Sequence, residues 1–272
     1  MKKVIYAVAF VLLFGPGVVS AQNGLSIVNG GKAWAALYQH RAAEYRALCF
    51  QAYNIATMRV RDAVKKHSGK PYAVITDIDE TLLDNSPYDA QQAINNKDYD
   101  AKSWKQWTAK AVADTVPGAP AFFKYAASKG VKVFYITNRD EDERSATLKN
   151  LQRYGLPNAN DAHLLLRKGS SSKESRRREV IEKYNIILLC GDNLPDFDAL
   201  YDNKPSAEQR SLTTNNLRKA FGDKFIVIPN PSYGDFENAM FQFDYHLTPS
   251  QKDSIIKAMV RVMLSESGLG AN

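Results

Sequence analysis

Residues 72–81 have the sequence YAVITDIDET, a short apolar run that ends in two acids separated by one residue. The run from Tyr72 to Thr76 has the length and β-branched character of a buried strand. Asp77 and Asp79 follow it directly, and residues two positions apart project to the same side of an extended chain. The stretch therefore predicts a strand that delivers two carboxylates to one location.

The same succession of strand, turn and helix continues along the chain. Further apolar runs with the character of buried strands occupy residues 132–136, 163–166, 186–190 and 225–228. Helical patterns lie between them at residues 119–129, 140–154 and 173–184. Alternating strands and helices predict an α/β fold, with a Rossmann-like parallel sheet covered by helices on both faces. In such sheets, ligands bind at the carboxyl ends of the strands.

Two regions depart from this alternation. Residues 22–70 are predicted to be helical, and the absence of proline and glycine from Trp34 to Lys66 favours two packed helices that contribute to a cap. Residues 85–116 are polar and long for a connection between a strand and a helix, so they predict the smaller α-helical cap. The predicted organisation is a helical region at 22–70 and a core at 71–272 that contains this cap segment.

The first 21 residues have the pattern of a secretory signal peptide. Lys2 and Lys3 precede an apolar run at 4–14, and small residues lead up to Ala21. The run is short for a transmembrane segment, and no second long apolar stretch follows. We expect an exported chain, periplasmic or secreted, that is soluble after signal removal.

The net charge of the chain indicates which class of ligand it suits. Removing Lys2 and Lys3 from the 36 basic residues leaves an excess of five over the 29 acidic residues. This mild excess suits small anionic substrates, and it is not by itself the footprint of a nucleic-acid-binding protein. The two cysteines, Cys49 and Cys190, could pair in an oxidising compartment, but Cys190 ends an apolar run and has the character of a buried small residue. The sequence does not decide whether Cys49 and Cys190 form a disulfide. It is also compatible with a homodimer.

Polar clusters follow four of the predicted strands. They are Asp77 with Asp79, then Thr137-Asn138-Arg139, then Lys173, and finally Asp192 with Asp196. Each has an ordinary structural explanation on its own, as an acidic turn, a helix cap, a surface lysine or a second turn. Their occurrence in order, each at a strand end, favours a single site.

The residue types at these strand ends suit phosphoryl transfer. One carboxylate of the first cluster can attack phosphorus while the other protonates the leaving oxygen. The Thr137 hydroxyl and the neighbouring amides can hold phosphoryl oxygens. Several acids in one crevice would repel one another without a cation. Because the candidate ligands are all oxygen atoms, Mg²⁺ is favoured over zinc.

The order of these motifs resembles the haloacid dehalogenase superfamily of phosphotransferases. More closely, ITDIDETLLDNSPY at 75–88 and GDNLPDF at 191–197 resemble the two signatures of the class C acid phosphatases, which are exported bacterial phosphatases and nucleotidases. The similarity extends upstream to AEYRAL at 43–48 and downstream to PNPSYG at 229–234. Many members of that family are lipoproteins, whereas this sequence lacks the acylated cysteine.

The resemblance implies a role for each motif residue. Asp77 would be the nucleophile and a Mg²⁺ ligand, Asp79 the general acid and base with its main-chain carbonyl on the metal, Asp192 a metal ligand, Asp196 an acid that orients the metal waters and Lys173, and Thr137 with Lys173 the phosphoryl-binding pair. Asn138 and Arg139 are predicted to contribute to substrate binding. The implied activity is a Mg²⁺-dependent phosphomonoesterase that passes through an aspartyl-phosphate.

Two aromatic residues, Trp104 and Tyr233, match positions that sandwich a nucleobase in nucleotide-hydrolysing relatives. We therefore predict action on nucleoside monophosphates beside aryl phosphates, and the alternative is that both rings simply pack in the cap or core. The charged run at 176–178 is predicted to be a solvated helix face. A non-catalytic exported binding protein and a phosphoacceptor receiver-like module remain the two rival interpretations.

Overall fold

The computed structural model of the protein describes residues 24–269, and the predicted signal peptide at 1–21 lies outside this range. The helices are α1 (Ile27–Arg41), α2 (Ala43–Ala63), α3 (Ser86–Ile94), α4 (Ala101–Thr108), α5 (Ala119–Ser128), α6 (Arg144–Arg153), α7 (Glu174–Ile181), α8 (Ala207–Asn216), α9 (Asp235–Met240) and α10 (Pro249–Glu266). The strands are β1 (Tyr72–Thr76), β2 (Leu83–Asp84), β3 (Asp114–Thr115), β4 (Lys132–Ile136), β5 (Leu164–Leu165), β6 (Asn185–Gly191) and β7 (Phe225–Val227). Short 3₁₀ turns occupy Glu141–Glu143, Leu194–Asp196 and Ala199–Tyr201.

A five-stranded parallel sheet forms the centre of the structure, with the strand order β5-β4-β1-β6-β7. β1 lies in the middle, and its last residue, Thr76, is paired with Tyr135 of β4 and with Cys190 of β6. The carboxyl ends of the three central strands therefore meet at one edge. The predicted α/β fold is confirmed, and the predicted bounds of β1 and β4 agree with the structure.

Helices cover both faces of this sheet, and the period of two in β1 explains why. Val74 faces the cluster that contains the α2 and α5 side chains, whereas Ala73 and Ile75 face a second cluster with Val180 of α7. All three β1 residues are buried. A strand that is apolar on both sides is what a sheet covered on two faces requires.

The N-terminal helices and the segment at 85–116 pack around this core. α1 and α2 are separated at Ala42, whose backbone is extended, so the predicted pair of helices is present. α1 packs against α3, and α2 packs against α5. The cap segment contains α3, α4 and β3, and β3 pairs with β2 in a two-stranded antiparallel sheet. The division of the chain into domains stays a prediction.

Cys49 and Cys190 are both buried and free, so the structure holds no disulfide between them. Among residues 24–269, none of the helices combines the length and apolar character that crossing a membrane requires.

Candidate active site

The register of the central sheet brings the four polar clusters together. Asp77 is the first residue after β1, and its amide donates to the Cys190 carbonyl oxygen of β6 at 2.9 Å. Thr137 follows β4, and its amide donates to the Leu165 carbonyl oxygen of β5 at 3.1 Å. Each predicted residue lines one cavity of about 560 Å³: Asp77, Asp79, Trp104, Thr137, Asn138, Arg139, Lys173, Asp192, Asp196 and Tyr233. The structure therefore places them in one site.

Lys173 forms ion pairs with two acids that line this cavity. Its Nζ lies 2.6 Å from Asp77 Oδ1 and 2.6 Å from Asp196 Oδ1, and its side chain is only 6% exposed. Burial raises the pKa of Asp77 well above its usual value, Lys173 opposes that shift, and the charges of Asp196 and Asp192 add to it. Burial opposes the charge on Lys173, but the two carboxylates more than offset it and raise the pKa of the amine. The Lys173 ammonium is therefore shared between the Asp77 and Asp196 carboxylates.

Three acids in this site fit a divalent cation. Asp77, Asp192 and Asp196 each offer a carboxylate oxygen, and these oxygens lie within 4.8 Å of one another. The Asp192 carboxylate is oriented by Thr81 Oγ1 at 2.8 Å and by Asn230 Nδ2 at 2.9 Å. Burial and then the charge of Asp196 raise the pKa of Asp192 to about 7. Three neighbouring acids that share one lysine are short of positive charge, and an oxygen-only donor set suits a hard cation.

Asp79 is held in place by a buried arginine, Arg139. Arg139 donates from Nη2 to Asp79 Oδ1 at 2.7 Å and from Nε to Asp79 Oδ2 at 3.1 Å, and its Nη1 donates to Thr147 Oγ1 at 3.1 Å. Asn85 Nδ2 donates to the same carboxylate at 2.9 Å. The fork of donors stabilises the carboxylate and fixes its direction. Arg139 is therefore engaged with Asp79, and its role in substrate binding stays a prediction.

The two aromatic residues differ in their surroundings. Trp104 is 9% exposed, meets Tyr88 edge to face with ring centroids 5.2 Å apart, and lies 5.8 Å below the guanidinium of Arg139. The Tyr233 ring is partly exposed, and its hydroxyl donates to the buried carboxylate of Glu80. Both rings line the cavity, but each also has a packing or hydrogen-bonding role of its own.

Two arginines of α7 correct the prediction for residues 176–178. Arg176 and Arg177 are buried, at 2% and 3% exposure, and only Arg178 is solvated. Arg176 donates from Nη1 to the Thr137 carbonyl oxygen at 2.6 Å and from Nη2 to Asn138 Oδ1 at 2.8 Å. A run of three arginines is typical of a charged surface, and no local pattern distinguishes the two side chains that turn inward.

Arg177 makes equivalent hydrogen bonds to the loop that carries Asp196, in the fourth polar cluster. Its Nη1 donates to the carbonyl oxygens of Pro195 at 2.7 Å and Asp196 at 3.0 Å, and Nη2 pairs with Glu174 at 2.8 Å. The first turns of α7, together with Lys173 just before it, thereby contact the loops that carry Thr137 and Asp196.

Gly191 allows Asp196 to reach the site. A Cβ built on Gly191 would lie 2.5 Å from Asp196 Oδ2 and 2.7 Å from its Cγ, so another residue type would displace that side chain. Taken alone, Gly-Asp-Asn at 191–193 is an ordinary turn signal in sequence. In the folded loop, glycine is required here because the Asp196 side chain lies too close to residue 191 for a Cβ to fit.

Comparison with known proteins agrees with this geometry. The profile of the HAD superfamily, subfamily IIIB (acid phosphatase), matches residues 21–236. The fold is similar to that of two solved structures of a class C acid phosphatase from Bacillus anthracis, one of them with tungstate bound, each at 37% identity and a TM-score of 0.81. The match covers 85% of this chain and 97% of that one.

Two plant proteins are more distant relatives. Acid phosphatase 1 of Solanum lycopersicum is 30% identical over 131 residues, which are 45% of this chain and 50% of that protein. The stem 31 kDa glycoprotein of Glycine max is 25% identical over 125 residues, which are 44% of this chain and 49% of that protein. The matched segment spans about half the length of both. The profile covers most of the chain, and the chain belongs to the subfamily IIIB acid phosphatases of the HAD superfamily.

Proposed function

We propose that this chain is an exported, Mg²⁺-dependent acid phosphatase that hydrolyses phosphomonoesters through an aspartyl-phosphate on Asp77. Membership in the family indicates a phosphomonoesterase. The observation that carries the proposal for this chain is the pairing of Asp77 with Lys173 at 2.6 Å, in the cavity that also contains Asp79 and Asp192. A carboxylate beside a buried ammonium is suited to attack on an anionic phosphoryl group.

The residues present fit Mg²⁺, and they would divide its ligation among them. Asp77 and Asp192 would supply carboxylate oxygens, Asp79 its main-chain carbonyl, and Asp196 would lie beside them. When bound, the cation neutralises charge on the acids and on the phosphoryl oxygens, so that a carboxylate can approach a phosphate dianion. Export rests on the signal-like pattern of the first 21 residues.

The first half of the reaction transfers the phosphoryl group to the protein. A carboxylate oxygen of Asp77 forms a bond to phosphorus while the bond from phosphorus to the ester oxygen breaks. Asp79 acts as the general acid and gives a proton to the departing oxygen, which leaves as an alcohol. Lys173 and the Thr137 hydroxyl hold the phosphoryl oxygens during the transfer. Arg139 and Asn85 keep the Asp79 carboxyl group pointed at the leaving oxygen.

The second half releases phosphate. Water attacks the phosphorus of the aspartyl-phosphate, and Asp79 accepts the proton that the water loses. The bond from phosphorus to Asp77 breaks, which regenerates the carboxylate and frees inorganic phosphate. Asp79 is then protonated again for the next cycle, so a single group acts first as acid and then as base.

The proposed substrates are small phosphomonoesters, with nucleoside monophosphates and aryl phosphates as the leading classes. The cavity is bordered by Trp104 and Tyr233, and stacking on aromatic rings tolerates different bases.

Hydrolysis of p-nitrophenyl phosphate, measured before and after chelation by EDTA, tests this function. We expect turnover that EDTA abolishes and added Mg²⁺ restores, with no other cofactor required. A binding protein would show no turnover in either condition, and a receiver-like module would take up phosphoryl groups without releasing phosphate catalytically. Full turnover in the chelated protein would contradict the proposal.

A further inference from the structure

The side chain of Asn85 lies between the Asp79 carboxylate and the cap helix α4. Asn85 is buried, and its Nδ2 donates to Asp79 Oδ1 at 2.9 Å. Its Oδ1 accepts a hydrogen bond from Nε1 of Trp107, a residue of α4, at 2.8 Å. Two consecutive hydrogen bonds therefore connect the indole of Trp107 to the side chain that serves as acid and base in the proposed mechanism.

The indole determines which way round the Asn85 amide lies. An indole N–H can only donate, so the atom that faces Trp107 must be the amide oxygen. The amide nitrogen then faces Asp79 Oδ1 and, at 3.4 Å, Glu80 Oε2, which are both acceptors. In the reversed orientation the amide oxygen would face two carboxylates, and the nitrogen would face another donor. Every polar atom of the Asn85 side chain therefore has a partner only in the orientation that donates to Asp79.

The helix that carries Trp107 is attached to the segment that follows β4. The Thr108 hydroxyl donates to Glu143 Oε1 at 2.8 Å, and both side chains are buried. Lys105 Nζ lies 3.1 Å from Asp140 Oδ2. The Trp107 ring is half-buried and packs against the core cluster that contains the α2 and α5 side chains. These contacts hold the indole in place, so that it can orient the amide of a neighbouring residue.

The two oxygens of Asp79 are used unequally. Among residues 24–269, Oδ1 accepts hydrogen bonds from three nitrogen atoms, which are Asn85 Nδ2 and both Nε and Nη2 of Arg139. Oδ2 accepts from one nitrogen, Arg139 Nε, at 3.1 Å. A proton on Oδ1 would displace one of its donors, whereas Oδ2 retains room for a proton. The donor from Asn85 therefore distinguishes the two oxygens.

We propose that Trp107 is a positioning residue for the general acid, because its indole N–H keeps Asn85 donating to Asp79 Oδ1 and so leaves Oδ2 to carry the proton. That proton moves from Oδ2 to the ester oxygen as the bond from that oxygen to phosphorus breaks, and Asp79 becomes a carboxylate. The inference rests on the proposed acid role of Asp79. It gives the cap helix α4 a part in proton transfer that needs no contact with the substrate.

Two esters whose leaving groups differ in basicity test this. p-Nitrophenolate is a weak base that departs with little help from an acid, whereas phenolate depends on protonation. We would measure kcat/KM for p-nitrophenyl phosphate and phenyl phosphate with the wild-type enzyme, Asp79→Asn and Trp107→Phe. Trp107→Phe should lower kcat/KM about tenfold for phenyl phosphate and less than about threefold for p-nitrophenyl phosphate. Asp79→Asn should change the ratio further in the same direction, and Trp34→Phe, at an exposed tryptophan of α1, should keep the wild-type ratio.

The same substitution in a protein without the Asn85 amide shows whether Trp107 acts through it. In Asn85→Ala there is no amide left to orient, so adding Trp107→Phe should leave the ratio of the two esters as it is in Asn85→Ala. A further tenfold fall in the double variant would overturn the inference. If Asn85→Ala does not fold, as judged by circular dichroism, the ratio in Trp107→Phe alone decides.

The remaining outcomes separate positioning from packing and from the proposed function. An unchanged ratio in Trp107→Phe would overturn the inference, and so would equal losses on both esters with a lowered Tm, which would assign the indole to packing. A wild-type ratio in Asp79→Asn would refute the acid role of Asp79 and this inference with it. A wild-type enzyme inert toward both esters would instead refute the phosphatase activity itself.

Discussion

The two halves of the cavity are built differently. At the strand ends, Asp77, Lys173 and Asp196 are joined by contacts of 2.6 Å and follow elements of the central fold. On the opposite side, which we call the cap side, Trp104 of α4 and Tyr233 after β7 line the cavity with aromatic rings. The strand ends are organised before any substrate arrives, whereas the cap side leaves groups available for the variable part of a substrate. Changes at the strand ends should therefore slow all substrates alike, and changes in the cap should alter their ratio.

The largest effect should come from Asp77→Asn, the sharpest test of the strand-end half. An amide cannot form the acyl phosphate, so kcat should fall at least about 10⁴-fold for nucleotides and aryl phosphates equally. Initial rates on both substrate classes measure this, with circular dichroism to verify folding. A near-normal rate would remove Asp77 from the role of nucleophile.

Gly191→Ala should have the next largest effect, since it moves an acid without removing any polar group. The added methyl would collide with Asp196, whose Cγ would be 2.7 Å away. A displacement of this kind is worth about 10²-fold in kcat, and the overpacked loop should lose about 1–3 kcal/mol of stability. Gly30→Ala is the control, because a Cβ there meets nothing within 4 Å. Wild-type kinetics in Gly191→Ala would show that the position of Asp196 is not critical.

The arginines of α7 test the strand-end half of the cavity by comparing two buried side chains with one exposed side chain. Arg176→Lys and Arg177→Lys keep the charge but lose the fork of donors to the neighbouring loops, so each should lower kcat about 30-fold, equivalent to about 2 kcal/mol. Arg178→Lys changes an exposed side chain of the same helix and should have little effect. The losses should appear with both substrate classes and with little change in KM. Equal kinetics for all three variants would mean that α7 does not position the site.

The smallest effect should come from the aromatic residues of the cap side. Replacing Trp104 or Tyr233 with Ala should raise KM for a nucleoside monophosphate about tenfold, while p-nitrophenyl phosphate is affected much less. Tyr233→Phe keeps the ring and removes only the hydroxyl that donates to Glu80. If stacking matters, Tyr233→Phe should bind nucleotides as the wild type does. An equal fall for both substrates with a lowered Tm would instead assign both rings to packing.

The same division explains how much could be predicted from the sequence. Asp77, Thr137 and Asp192 directly follow apolar strands, and local patterns therefore locate them, because parallel strands bring their carboxyl ends together. The burial of Arg176 depends on where α7 lies against the loop after β4, and no local pattern encodes that contact. The requirement for glycine at Gly191 is likewise a property of tertiary packing, since a Gly-Asp-Asn sequence has an ordinary explanation as a turn.

The central claim is a covalent phosphoryl group on Asp77, and rapid quenching in acid followed by peptide mapping tests it most directly. Enzyme mixed with excess p-nitrophenyl phosphate and Mg²⁺ and quenched within the first turnovers should carry phosphate on the peptide that contains Asp77. The label should disappear when the substrate is exhausted, and it should be absent from Asp77→Asn. Rapid turnover with phosphate attached to a different residue, or with no attached phosphate at any quench time, would contradict the account.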